Sequence, residues 1–308
     1  MDRIQAMQIF VQVVTQGSYS RAATLMGVPR AAATQAVQQL EARLGVRLLN
    51  RTTRHVSLTL DGDLYFQRCQ VILGDLEDTE ATFRAGRTLP KGRLRVDMPG
   101  ALGRLLVIPA LPEFTRRYPD ITLELGVRDR TVDLIREGVD CVLRAGDISD
   151  TSLVCRPVGV LEQITAASPD YLKRHGTPLT PQEIGSGHRM VGYLSSRTGR
   201  PYDLDFVEGG ILSHASPPVT VTVSDAGAYI ASGVAGYGLV QGPRYHLDPL
   251  IASGQMTEVL SGFRPPAMPL SVLYPPGRHR LPRLRVFIDW LCAALAPATA
   301  SPASIAAE

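Results

Sequence analysis

Between Gly17 and Leu60 the chain reads GSYSRAATLMGVPRAAATQAVQQLEARLGVRLLNRTTRHVSLTL, and no other stretch restricts the fold as much. It encodes two short helices joined by a tight turn, then a basic hairpin. Ser18 or Ser20 can cap the first helix by accepting from its free backbone N–H groups, and Gly27 can close it. Pro29 suits the opening turn of the second helix, where a missing N–H costs nothing. In that helix Ala33, Val37, Leu40 and Leu44 recur on one face and predict a buried stripe. The other face carries Arg30, Ala31, Thr34, Gln35 and Gln38, with no acid among them. Such a helix can lie in a DNA major groove, or it can be an ordinary amphipathic surface helix. The basic run that follows, Arg47 and then Arg51-Thr52-Thr53-Arg54-His55, favours the groove. Arg51 and Arg54 flank a turn expected between Leu48-Leu49 and Val56-Ser57-Leu58. That hairpin can set guanidinium groups against phosphates or the minor groove.

Charge is distributed to match. The net charge of the 308 residues is only +3, yet residues 1–60 hold seven arginines against Asp2 and Glu41. A basic head on a slightly acidic body fits a phosphate-binding module attached to something else. With 44% hydrophobic and 20% charged residues, there is ample material for two globular domains. Met1-Asp2-Arg3 leads straight into an amphipathic helix without a cleavage-site pattern. No apolar run approaches the roughly 18 residues of a membrane span, so a cytoplasmic protein is expected. Cys69, Cys141, Cys155 and Cys292 form no CxxC and point to buried reduced thiols rather than zinc or disulfides.

A first helix is expected over residues 2–16, capped by Asp2, with Ile4, Met7, Val11 and Val14 facing a core. From Leu60 to about Gly86 the pattern is a longer helix with Thr59 as its cap. Tyr65, Cys69, Ile72, Leu76, Thr79 and Phe83 follow the spacing of a coiled-coil seam, which favours dimerisation over packing against the chain's own body. A basic hinge, Arg87-Thr88-Leu89-Pro90-Lys91-Gly92, separates this helix from alternating strands and helices. Strands are expected at 94–98, 121–127 and 139–143 with helices at 105–118 and 131–137, an order that implies a largely parallel sheet. A second unit follows, with helices at 170–174, 180–184 and 225–232 and strands at 190–193, 219–223 and 238–240. A strand at 270–274 and a helix at 282–296 return to the first unit. Chain crossings near Val160 and at Arg264-Pro265-Pro266 suggest a cleft between two α/β lobes, and the Ala/Ser/Pro-rich tail 297–308 is expected to be disordered.

The ordered set Gly17-Ser18-Tyr19-Ser20, Ala22-Ala23, Leu40-Glu41, Leu44-Gly45, Leu48-Leu49-Asn50-Arg51-Thr52-Thr53-Arg54, Leu58-Thr59 and Asp61-Gly62 resembles the LysR-type transcriptional regulators. The resemblance extends to about Ala296. It departs at Pro29-Arg30-Ala31-Ala32-Ala33-Thr34, where the family usually has a Ser-Gln-Pro-Ala-Val-Ser-like run. The resemblance implies an α/β chain with an all-α-dominated N-terminal winged helix-turn-helix over 1–60. A linker and dimerisation helix with its hinge would span 61–90, and a two-lobed effector domain of periplasmic-binding-protein type 91–296. It further implies double-stranded DNA and a small-molecule effector as partners, a homodimer or homotetramer, RNA polymerase as a further candidate partner, and no cofactor. Arg30, Ala31, Thr34, Gln35 and Gln38 are the candidates for base edges and nearby phosphates. Ser18, Ser20, Arg51, Thr52 and Arg54 are candidates for backbone or minor groove.

Catalytic and metal signatures are missing from the sequence. The six histidines show no HxxxH or HExxH spacing, and neither a GxSxG elbow nor a GxxxxGK[ST] loop occurs. Gly233 to Gly238 is glycine-rich but does not keep the GxGxxG order. Asp129 with Asp133, or Asp203 with Asp205, reads as solvated faces rather than catalytic pairs. In α/β sheets ligands sit beyond the carboxyl ends of strands, against helix N-termini that favour anions. Those ends bring Pro99-Gly100-Ala101, Arg128-Asp129, Arg144 to Gly146, and Ser224-Asp225 to a common mouth. Arg128 or Arg144 can pair with a ligand carboxylate, or each can be a surface or structural residue. The amides of Gly100 and Ala101 can donate. Ala101 lies where the family often has a hydroxyl residue. A carrier-like small-molecule binder is the competing reading and an enzyme the third. The charge split and the Arg-Thr-Thr-Arg hairpin argue against the carrier.

Overall fold

The computed structural model describes residues 2–51, 56–84, 90–130, 134–148, 152–185, 187–196, 198–278 and 281–299. Contacts divide the chain into two units, Met1–Thr88 and Leu89–Glu308.

In the first unit, α1 (Arg3–Gln16) buries Ala6, Met7, Ile9, Phe10 and Val13. The expected stripe is displaced: Ile4 is exposed, and Val11 and Val14 sit at the core's margin. The run Ile9-Phe10-Val11 with Val13-Val14 is apolar over a wide arc, so spacing alone does not fix the centre. The bulky Phe10 takes it. Asp2 stands at the N-cap position but its side chain makes no cap hydrogen bond, contrary to expectation. Gly17, left-handed at φ +58°, ends the helix.

Helix α2 (Tyr19–Leu25) begins at Ser18, whose Oγ accepts from the Arg21 amide; Ser20 lies inside the helix. Helix α3 (Arg30–Leu44) starts after Pro29 and buries Ala33, Ala36, Val37 and Leu40. Leu44, the expected last member of the stripe, is exposed, because Gly45 turns the chain away at that residue. Strands β1 (Leu49–Arg51) and β2 (Val56–Leu58) form the antiparallel hairpin. Glu41 of α3 ties it down, its Oε1 accepting from the Leu48 and Leu49 amides at 2.9 and 3.2 Å.

The hairpin is also tied to α4 (Leu60–Arg84). Thr59 Oγ1 donates to the Arg47 carbonyl at 2.7 Å and accepts from the Gly62 amide at 2.9 Å, which caps α4. A Cβ on Gly62 would stand 1.8 Å from the Leu48 carbonyl oxygen, so only glycine fits there. The first turns of α4 are not a free seam. Cys69 is fully buried in the unit's own core, with Tyr65, Phe66 and Leu73 packed there and the Tyr65 and Phe66 rings 5.6 and 6.3 Å from Phe10. Ile72 is exposed and Leu76 half-buried; the side chains of Thr79 and Phe83 lie outside the described ones.

The second unit has two lobes. The first lobe is built on a five-stranded sheet ordered β4-β3-β5-β14-β6. Parallel neighbours β3 (Gly92–Met98), β4 (Ile121–Val127) and β5 (Cys141–Ala145) are joined by β14 (Met268–Tyr274), antiparallel to β5, and beyond it by β6 (Val154–Leu161), antiparallel to β14. Helices α5 (Gly100–Leu102) and α6 (Ile108–Arg117), linked by a π-helical turn Gly103–Val107, connect β3 to β4. They start five residues before the expected helix. Helix α7 (Leu134–Glu137) precedes β5; residues 131–133, expected to begin it, lie outside the described residues. Helix α12 (Pro282–Leu295) covers the sheet, its Phe287 edge-on to Phe114 at 5.4 Å with Trp290 at 5.1 Å.

The chain leaves this lobe after Leu161 and returns at Met268. In the second lobe β7 (Gln163–Ala167) pairs with β12 (Val240–Pro243) and β13 (Thr257–Val259). Strand β8 (Met190–Tyr193) runs parallel to β11 (Val219–Val223), and Met190 bridges to Leu239 beside β12. Helices α8 (Pro169–His175), α9 (Pro181–Ile184), α10 (Ala226–Val234) and α11 (Arg244–Ala252) surround these strands. A hairpin of β9 (Leu204–Glu208) and β10 (Ile211–Ala215), absent from the sequence reading, turns on Gly209-Gly210, both at positive φ. The tail is folded for three residues more than expected. Residues 296–298 form a 3-10 turn, and the Thr299 hydroxyl donates to the Leu295 carbonyl. Residues 300–308 lie outside the described residues.

Candidate nucleic-acid interface and effector cleft

The outer face of α3 is free of acid. Arg30, Ala31, Gln35 and Gln38 are exposed opposite the buried Ala33, Ala36, Val37 and Leu40. The only acid of the helix, Glu41, is turned to the hairpin amides. That side of α3 therefore offers a guanidinium and two carboxamides, which match guanine and adenine edges. Thr34 is half-buried and its hydroxyl donates to the Arg30 carbonyl at 3.1 Å, so only its lone pairs remain for a partner. Ser18 is spent on the α2 cap, whereas Ser20 is exposed one turn into that helix. Arg51 ends β1; Thr52 and Arg54, expected to touch phosphates or the minor groove, lie outside the described residues.

In the second unit, the carboxyl ends of β3, β4 and β11 converge. Asp129 follows β4, and its two oxygens each hold one backbone amide. Oδ1 accepts from Gly100 at the start of α5, and Oδ2 from Ala226 at the start of α10, both at 2.6 Å. Asp225 caps α10 through the Ala228 amide at 2.8 Å, and its Oδ2 would lie 3.5 Å from a Cβ on Gly100. The Arg104 guanidinium stands beside both helix starts. Burial, then the Asp129 carboxylate, push the Tyr193 and Tyr245 phenols above their usual range. Burial and the neighbouring Arg104 charge hold His246 below its usual value, against an opposing pull from Asp129 and Asp225. Tyr193 stacks on Tyr202 at 6.2 Å and tilts against Tyr229 at 5.4 Å, so one wall of the mouth is aromatic.

Of the residues expected to hold a ligand, Gly100 and Asp225 come together at this mouth, with Pro99 preceding Gly100 as the N-cap of α5 and Ser224 preceding Asp225 in the chain. Ala101 is buried, presenting only a methyl group. The Gly100 amide is not free to donate to a ligand, since Asp129 takes it. Arg128 is a structural residue: its Nε donates to the buried Asp97 at 2.8 Å and its Nη2 to Glu137 at 3.3 Å. Asp97 is 2% exposed, and a carboxylate taken so far from water requires a cation in contact. Arg144 is half-buried on β5, in register with Ser271 of β14, within the sheet rather than at the Asp129 cluster. Arg104, Tyr193, Tyr245 and His246 were missed by sequence reasoning. They lie on three different elements with no motif spacing; only the position of Arg104, one turn into a helix that follows a strand end, could have flagged it.

Among the described residues, no group of three or more His, Cys, Asp or Glu is placed to hold a metal ion. No described helix is long and apolar enough to cross a membrane.

A helix-turn-helix with a basic hairpin, on one chain with a two-lobed α/β unit that has a polar mouth, defines a ligand-responsive transcriptional regulator. Comparison with known proteins agrees. Residues 4–63 match the bacterial regulatory helix-turn-helix protein model of the lysR family, and residues 87–296 match the LysR substrate binding domain. The chain is 36% identical over 94% of its length to the uncharacterised HTH-type transcriptional regulator YhjC of Escherichia coli, covering 97% of it. The structure of CrgA, a LysR-type transcriptional regulator from Neisseria meningitidis, superposes with a TM-score of 0.61 at 33% identity, covering 94% of this chain and 98% of that one. The full-length structure of AphB, a virulence activator of Vibrio cholerae, gives a TM-score of 0.57 at 27% identity over 95% and 99% of the two chains. This chain belongs to the LysR family: it is a DNA-binding transcriptional regulator with an effector-binding domain, and not an enzyme.

Proposed function

We propose that two or four copies of this chain read an interrupted inverted repeat in double-stranded DNA and release or reposition on it when a small molecule enters the interlobe cleft. The observation that carries this reading is the acid-free outer face of α3, with Glu41 turned inward. In it, Arg30, Ala31, Thr34, Gln35 and Gln38 meet base edges and nearby phosphates, and Ser18, Ser20, Arg51, Thr52 and Arg54 meet backbone or minor groove. Residues 1–60 act as the reading head, 61–90 as linker and pairing helix, and 91–296 as the effector domain. The exposed Ile72 and the half-buried Leu76 supply apolar surface on α4 for a second copy, in place of the longer seam whose first turns are buried. The effector domain's mouth, formed by Gly100, Asp129, Ser224 and Asp225, receives the effector. A ligand shifts the equilibrium only by binding the two arrangements unequally. The protein would act in the cytoplasm, with RNA polymerase as a further partner.

The test is selection of genomic fragments by the purified full chain at near-physiological salt, followed by a compound screen for altered operator affinity. Enrichment of an inverted repeat is expected. No enrichment, with no shift of any duplex even at low salt, overturns the reading.

A further inference from the structure

Asp129 is placed as a bound ligand would be. One oxygen takes the amide of Gly100, which opens the helical run through Arg117 in the first lobe. The other takes the amide of Ala226, which opens the nine-residue α10 in the second lobe. Arg104 completes the ring: its Nη1 and Nη2 lie 3.4 and 2.8 Å from where a Cβ would stand on Gly100 and Gly227. Two amides at helix N-termini and a guanidinium make a receptor for a carboxylate. Here the receptor is already filled, from within the chain.

We propose that Asp129 is a built-in ligand that ties the two lobes together and directs the cleft toward effectors carrying no carboxylate. The inference rests on the interlobe cleft being the effector site. An external carboxylate would have to expel Asp129, breaking both 2.6 Å bonds and stranding its charge beside Asp225. What remains around the mouth is the second oxygen of Asp225 and the phenol of Tyr202, since the Tyr193 hydroxyl is already hydrogen-bonded to Asp129. These suit hydroxyl or amine groups, and the ring faces suit a cation or an aromatic ring.

The experiment is chemical rescue in the full chain. Thermal unfolding of the second unit is followed by the fluorescence of Trp290, the only tryptophan, while sodium formate or acetate is titrated against sodium chloride at equal ionic strength. Asp129→Ala is expected to lower the midpoint by about 4 °C or more, since two charge-assisted bonds are lost. Formate and acetate are expected to restore most of that loss saturably, chloride none of it, and the wild type is expected to respond to neither carboxylate. Asp129→Ser carries the same test if the alanine variant does not fold. No rescue of a folded variant overturns the proposal. So does saturable stabilisation of the wild type by either carboxylate, which would leave the cleft standing as a ligand site. Failure of the cleft reading itself shows elsewhere: rescue succeeds, but no compound in the screen alters operator affinity.

Discussion

Replacing Glu41 by alanine should unfold the DNA-reading unit selectively. Its carboxylate is the acceptor for the Leu48 and Leu49 amides, and those residues are 0% and 2% exposed. An unpaired buried amide costs about 1–3 kcal/mol. Two such groups would cost about 2–6 kcal/mol, and water reaching the half-exposed flank of residue 41 moves the expectation to about 2–4 kcal/mol. Glu41→Gln keeps an oxygen at the same reach for the two amides and loses the charge assistance there, so about 1 kcal/mol is expected from these bonds. The units can be followed separately, because the only tryptophan, Trp290, lies in the second. In urea, the first-unit share of the helical circular dichroism should be lost at lower denaturant in Glu41→Ala, while the Trp290 transition stays in place. Equal losses in the alanine and glutamine variants, or a loss below about 0.5 kcal/mol in the alanine variant, would refute the argument that these two amides depend on this oxygen.

Further outcomes are specific to other parts of the molecule. Arg54→Ala should weaken binding to all duplexes alike and reduce the salt slope by about one, whereas Gln35→Ala should relax preference at particular base pairs; filter binding across salt and a randomised operator library separates the two. His188 and His246 are both held below the usual imidazole value of 6.5, mainly by burial. The unfolded chain then binds more protons between that value and the folded one, so second-unit stability should be full above pH 6.5 and fall as pH drops through this window. Replacing both by glutamine should flatten that slope in Trp290-monitored denaturation. Among the thiols, Cys155 is exposed while Cys69 and Cys141 are buried, and burial pushes Cys69 up to about 11. A chromogenic disulfide reagent should therefore label Cys155 rapidly and Cys69 only on unfolding, which leaves Cys69 no role as an accessible redox sensor.

What the sequence disclosed and what it hid divide along the range of the interactions. The ends of α1, α2 and α3 are written locally, by Gly17, the Ser18 cap, Gly27, Pro29 and Gly45. The bounds of β4 follow from its apolar alternation and the Pro119 before it. Where apolar residues crowd an arc, as at Ile9 to Val14, periodicity leaves the buried face ambiguous, and packing against neighbours decides it. The first turns of the α4 seam are taken up for the same reason: Tyr65 and Cys69 have coiled-coil spacing, but Phe10 of the same unit packs against them. The cleft was legible as a location and not as a chemistry. The sequence leaves Arg128 open to a ligand or to a structural partner, and Asp97, 31 positions earlier, is that partner. The pairing of Asp129 with Ala226 spans 97 positions and leaves no local trace.

The two ties at the base of the hairpin have a mechanical consequence. Glu41 fixes the hairpin to the recognition helix, and Thr59 with the close Gly62–Leu48 contact fixes it to α4. The start of α4 thus cannot rotate without carrying the reading head along. At 25 residues α4 is about 37 Å long, so a tilt of about 5° displaces one end by about 3 Å relative to the other. That is close to the rise of about 3.4 Å between successive base pairs. If α4 pairs two reading heads as proposed, a small angular change along it would shift one head by about a step of register on DNA.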